Sequence, residues 1–222
     1  MILSVEGKDY KVPQYLTIDK WCQLQRWIGH EFNNERIISI ALDMDIQDVL
    51  KLPDKIVETC MFLLTNMMFY KDKTPIGDMI DFNSMTIGQF IDLEVYIAGH
   101  IHNHMEPVVE LLWQGVEYDP DFSSHQIWFG LTKYFNFRKT IFNKYKSLFG
   151  LDRKQKDNEE IHTNTQSDVA RSWYRLLLIL SGNDFLKMDE ASDKPLIASL
   201  NYLAYDKDQK TEELNRLKKM KK

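Results

Sequence analysis

Cysteine is nearly absent from this chain. Only Cys22 and Cys60 occur in 222 residues, with no CxxC pair. They read as buried thiols in a reducing compartment, not as a disulfide or a zinc site. Glycine is sparse, and its spacing yields neither GxGxxG nor GxxxxGK[ST], so the usual phosphate-cradling loops are missing. No GxSxG elbow appears either. Long apolar runs are lacking too: "LLLIL" at 176–180 is far too short to cross a bilayer. The opening "MILSVEGKDY" has no basic region followed by an apolar run, so no signal peptide is expected. Excess positive charge is also absent. The net charge of −5 and a pI near 5.7 argue against a general nucleic-acid binder.

What is present is apolar and aromatic. Hydrophobic residues make up 44% and aromatics 12%, enough for a real core. Lys, Asn, Asp, Ile, Tyr and Phe are common and Ala is scarce, which suggests an AT-rich coding sequence.

Periodicity gives a mainly α fold, a helical bundle-like domain with a small N-terminal β-hairpin. The alternation in "ILSVEGKDYKV" (2–12), broken by Glu6-Gly7, predicts the hairpin. Thr17 is placed to cap a helix, and shorter helices follow at "ERIISIAL" and "DIQDVLKL". The second is expected to pack Ile46, Val49 and Leu50. Pro53 is expected in the first turn of a helix running to about Phe69 and central to the core. Residues 71–84 read as a loop, with a strand at "MIDF" as an option. Thr86-x-x-Gln89 is a capping box. Trp128, Phe135, Phe142 and Phe149 recur every seven residues on a helix of about 25 residues. This divides the chain into 1–118 (hairpin and helices), 119–150 (the long aromatic helix), 151–167 (a polar linker) and 168–222 (a C-terminal helical segment).

Few residues offer chemistry. Glu94 interrupts the apolar face of the helix that begins at Ile87 and is expected to be buried and paired, with an Arg as one partner. "AGHIHNHMEP" (98–107) sets His100, His102 and His104 at alternate positions. The apolar period carries the helix at least to Ile101, so His100 and His104 share a flank while His102 points elsewhere. That pair lacks the third and fourth ligands of a zinc site. Histidines near a helix C-terminus favour its dipole. Neither metal nor cofactor is expected.

Between Phe122 and Leu151 no Asp or Glu occurs, while Lys133, Arg138, Lys139, Lys144 and Lys146 do. Phe129 and Phe137 lie off the heptad stripe. With Lys133 and Lys144 they are the residues expected to meet a protein partner if exposed. Phe137 is accordingly expected to matter little for stability. "RLKKMKK" (216–222) adds a basic tail.

Two stretches, "DFNSMTIGQFIDLEVYI" (81–97) and "WYRLLLILSGNDFLKMDEASDKPLIASLNYLAYDKD" (173–208), carry a resemblance. They are similar to segments of tail assembly chaperones and baseplate hub assembly factors of contractile-tailed phages. The matching residues are mainly Thr86, Gly88, Phe90, Asp92, Glu94, Trp173, Asp184 and Pro195, across roughly a quarter of the chain. The resemblance implies a non-enzymatic protein that binds other tail or baseplate proteins. It is expected in the host cytoplasm during assembly, with the virion tail as an option; no membrane is expected, and nucleic acid is not the expected partner. Two other readings stay open: a metal-dependent enzyme using His100, His104 and Glu94, and a nucleic-acid adaptor using the basic 133–146 face and the tail.

Overall fold

The computed structural model describes residues 2–27, 34–69, 76–149 and 165–220. The fold is mainly helical, with an N-terminal two-stranded hairpin. The chain forms two compact units, Met1–Asp78 with Trp113–Thr132, and Met79–Leu112 with Lys133–Lys222. These units interleave along the sequence: residues 113–132 group with the N-terminal unit and 79–112 with the C-terminal stretch.

In the first unit, β1 (Ile2–Val5) pairs antiparallel with β2 (Lys8–Lys11). Glu6 and Gly7 both take positive φ, the geometry of a two-residue turn. Helices α1 (Ile18–Gln25), α2 (Asn34–Leu42), α3 (Ile46–Val49) and α4 (Asp54–Phe69) follow. Thr17 caps α1 by accepting a hydrogen bond from the Lys20 amide. Leu16, Leu24, Ile38, Ala41, Val49 and Leu64 lie in one apolar core beneath these elements. Each large side chain so buried contributes about 1.5–3 kcal/mol.

Two local expectations change here. Pro53 lies just outside α4, where its carbonyl accepts from the Ile56 and Val57 amides. Of the α4 side chains described, only Cys60 and Leu64 are buried, and Phe62 faces solvent, so α4 packs along one edge. In α3 the buried residues are Asp48 and Val49, while Leu50 is 60% exposed. The hairpin explains this inversion. Lys8 Nζ donates to Asp48 Oδ2 at 2.8 Å and the Tyr10 hydroxyl donates to the same oxygen at 2.6 Å, so the polar side of α3 turns inward.

Residues 113–132 complete this unit. The Ile18 amide donates to the Phe122 carbonyl at 2.7 Å, and the Ser124 amide to that of Leu16 at 2.8 Å. These bonds lock the start of α1 to the start of α7 (Ser124–Lys144). In this unit Trp21 and Trp128 pack with ring centroids 5.9 Å apart.

The second unit is built around α5 (Ile87–Ala98), which contacts α6 (Met105–Leu112), α8 (Gln166–Leu180), α9 (Met188–Ser192) and α10 (Leu196–Met220). The capping box at Thr86 and Gln89 is formed. Thr86 bridges Pro195, with the Ile87 amide donating to Lys194 O and the Leu196 amide to Met85 O, both 2.9 Å. The N-terminal ends of α5 and α10 are thereby fastened together.

Helix α7 ends at Lys144, shorter than expected, and residues 145–149 continue as turns. Its most buried positions are Ile127, Leu131, Tyr134 and Ile141, while Trp128, Phe135 and Phe142 flank that line half-buried. Most of the expected polar linker, 151–164, lies outside the described residues. Its end, Thr165 to Ser167, caps and opens α8. No strand forms at 79–82.

Candidate functional site

Glu94 lies on α5 and is 4% exposed. Arg138 of α7 donates to it twice, Nε to Oε1 at 2.5 Å and Nη2 to Oε2 at 2.8 Å. Tyr134, one turn earlier, donates its hydroxyl to Oε1 at 3.1 Å. Burial, reinforced by the neighbouring carboxylate charge, raises the Tyr134 pKa well above its ordinary value. Burial opposes the charge on Arg138, but the hydrogen bonds and charge of Glu94 outweigh it and raise that pKa. Both carboxylate oxygens are engaged, and Tyr134 is fully buried. The arrangement braces α5 against α7.

An aromatic cluster surrounds this brace. Phe90 meets Trp173 edge-on at 5.6 Å, and Phe142 meets Phe149 at 4.4 Å. The Arg138 guanidinium carbon lies 4.5 Å above the Phe142 ring. Phe137 belongs here too, stacked on Phe82 at 4.8 Å with the rings 12° apart. It is half-buried, so the exposure on which its role as a partner contact depended is not met. Phe129 is likewise half-buried, in the first unit. Lys133 and Lys144 are exposed, with Lys144 Nζ 5.3 Å from the Tyr145 ring. Among the basic residues of 133–146, Arg138 is committed to Glu94, while Lys139 and Lys146 face solvent.

The histidine strip departs from its expected geometry. Helix α5 stops at Ala98, and His100 takes φ +65°. Residues 101–103 form one 3-10 turn, so His100 and His104 do not share a helical flank. At Gly99, which caps α5, a Cβ would fall 2.4 Å from the Gln166 side chain, so the glycine leaves room for it. His104 stacks on Tyr96 at 5.1 Å, and the His100 and His102 rings lie 5.7 Å apart. Among the described residues, no group of three or more His, Cys, Asp or Glu is placed to hold a metal. Cys22 and Cys60 are buried.

Two features were not foreseen from spacing. The first is a cleft of about 690 Å³ in the first unit, lined by Tyr15, Asn66, Met67, Phe122, His125 and Gln126 among others. Its volume is in the range of small-ligand sites. His125 is 6% exposed, and its Nε2 is hydrogen-bonded to the Met67 carbonyl. The lining comes from three separate stretches, so no linear motif marks it. The second is exposed apolar surface in the second unit. Phe185 and Leu186, adjacent on a 3-10 turn, are 68% and 77% exposed, and Tyr174, Tyr202 and Tyr205 are exposed on α8 and α10. The signal was available in "GNDFLK": two large apolar residues follow Asp184, which caps a turn too short to bury both.

Neither a protein-family model, nor a curated protein, nor a solved structure matches this chain.

Proposed function

We propose that this chain is a non-enzymatic assembly or structural protein of a phage tail or baseplate, working by binding other tail proteins in the host cytoplasm. The resemblance of 81–97 and 173–208 is its basis. One structural observation supports it: residues from the two stretches are each other's packing partners. Phe90 abuts Trp173, Thr86 pairs with Pro195, and Gly88 leaves room for Ser192, to which an added Cβ would come within 3.0 Å. The two stretches thus form one module, and that module carries the exposed pair Phe185 and Leu186. Side chains of this size, left in water, suit a protein interface, where aromatics are enriched.

The test is co-expression of the tagged chain with each tail or baseplate protein encoded beside it. A stable complex with one of them is expected. Phe185→Asp with Leu186→Asp should break that complex while leaving the melting temperature unchanged. Absence of a complex with every such protein overturns the reading.

A further inference from the structure

The cleft of about 690 Å³ in the first unit has walls from three stretches: the turn before α1, the end of α4 and the start of α7. Hydrogen bonds tie these stretches to one another. His125 at the start of α7 bonds the Met67 carbonyl on α4 through Nε2. The Ser124 amide donates to the Leu16 carbonyl at 2.8 Å, and the Ile18 amide to that of Phe122 at 2.7 Å. The walls are therefore fixed before any ligand arrives, which removes an ordering cost from binding.

The lining defines the ligand. Leu63, Met67, Tyr15 and Phe122 supply apolar and aromatic surface. Tyr15 is 45% exposed, a large ring left open to a ligand's apolar body. Asn66 and Gln126 add uncharged hydrogen-bonding groups. Among the described residues that line the cleft, Asp121 is the one carboxylate, and no Lys or Arg is present. The stretch that carries it, 113–132, contains neither Lys nor Arg. The Asp121 amide donates to Asp119 Oδ1 at 2.9 Å, while its carboxylate has no cationic partner among the described residues. We infer that this cleft binds a small organic cation, with an aromatic body against Tyr15 and Phe122 and an ammonium group toward Asp121. A carboxylate or phosphate in the same place would meet Asp121 with no described cation to offset it. A solvent-exposed ion pair contributes at most about fivefold in affinity, so the apolar body supplies most of the binding and the ammonium supplies the selectivity.

Isothermal titration calorimetry of the purified full chain with tryptamine, tryptophol and indoleacetate tests this, independently of any tail protein. The three probes share one ring system and carry a cationic, a neutral and an anionic side chain. Wild type should bind tryptamine with a dissociation constant below about 1 mM. Tryptophol should bind about fivefold more weakly, and indoleacetate more weakly still. Added salt should narrow the gap between tryptamine and tryptophol, because exposed charges are screened. Asp121→Asn should bring tryptamine to the tryptophol value and leave tryptophol unchanged. Asn66→Trp, at an exposed position on α4, places an indole in the cleft and should abolish binding of all three with an unchanged melting temperature. Failure of wild type to bind tryptamine at about 1 mM overturns the inference, as does equal affinity for indoleacetate or a tryptamine affinity that survives either substitution intact.

Discussion

Arg138 holds Glu94 with two nitrogens, one on each carboxylate oxygen, at 2.5 and 2.8 Å. The partners differ in exposure. The Glu94 side chain is 4% exposed and that of Arg138 35%. Removing the arginine strands a buried carboxylate, whereas removing the carboxylate leaves a cation that can turn toward water. Arg138→Met should therefore cost about 3 kcal/mol, and Glu94→Gln, which keeps an acceptor for Tyr134, about 1–2 kcal/mol. Combining Glu94→Leu with Arg138→Met should cost less than the sum of the two single changes, because no charge is left unpaired. Urea unfolding of the four variants measures this. An Arg138→Met protein as stable as wild type would remove the brace from the account.

Asp48 makes stability depend on acid. The hydrogen bond from Lys8, then that from Tyr10, lowers its pKa to about 2. The unfolded value is about 3.9. The folded state thus binds the proton less readily, and the contribution of Asp48 is complete above about pH 4 and lost as pH falls through about 2. Asp48→Asn should be less stable than wild type at neutral pH, with the gap closing between about pH 4 and pH 2. Urea midpoints taken across that range give the answer; a constant gap would show that this carboxylate does not carry the dependence.

The features legible in the sequence were those set by neighbours in the chain. Glu6-Gly7 fixes the hairpin turn, Thr17 and Thr86 cap their helices, and the seven-residue recurrence of Trp128, Phe135 and Phe142 marks α7 as a helix, although these rings flank its buried line of Ile127, Tyr134 and Ile141. Glu94 could be read as buried and paired because a single carboxylate on an apolar face has few other options. Harder to read were features set by residues far apart in sequence. Asp48 turns inward because Lys8 and Tyr10, some forty positions earlier, are waiting for it. Helix α5 ends at Ala98 although Ile101 continues its apolar period, and Gly99, just past the end, makes room for Gln166, 67 positions later in the sequence. Phe137 looked like a surface residue because its stacking partner, Phe82, sits in a stretch with no helical period.

That stack revises what Phe137 does. A buried Phe→Ala change costs about 3–5 kcal/mol, and a half-buried ring should cost roughly half as much. Phe137→Ala should therefore lower stability by about 2 kcal/mol, and Phe82→Ala by a similar amount. The two should not add, because each removes the same contact. Denaturant unfolding of both single variants and the double variant distinguishes this from independent sites, which would show full additivity.

The thiols should be silent in the native protein. Burial, assisted by the charge of Asp19, pushes the Cys22 pKa up to about 12, and burial also raises that of Cys60. The reactive form is the thiolate, so iodoacetamide at pH 8 should label neither residue until urea is added. Rapid modification of native Cys22, read by mass spectrometry, would place that thiol in a different environment.

Gly130 offers a test in which two general rules give opposite signs. Glycine inside a helix costs about 1 kcal/mol relative to alanine, so propensity alone makes Gly130→Ala stabilising. Here the helix passes directly over the Trp113 ring. A Cβ at residue 130 would lie 2.1 Å from Cζ2 and 2.5 Å from Cη2 of that indole. Trp113 is 1% exposed and packed on all sides, so it has little room to retreat. Overpacking of this kind costs about 1–3 kcal/mol or more and outweighs the propensity gain. Gly130→Ala should therefore destabilise the protein by at least about 1 kcal/mol. Trp113→Phe opens space at the same point, so Gly130→Ala should be better tolerated in that background than in wild type. Thermal melts of the four proteins decide the matter: a Gly130→Ala protein that melts higher than wild type would mean that the contact relaxes and propensity prevails.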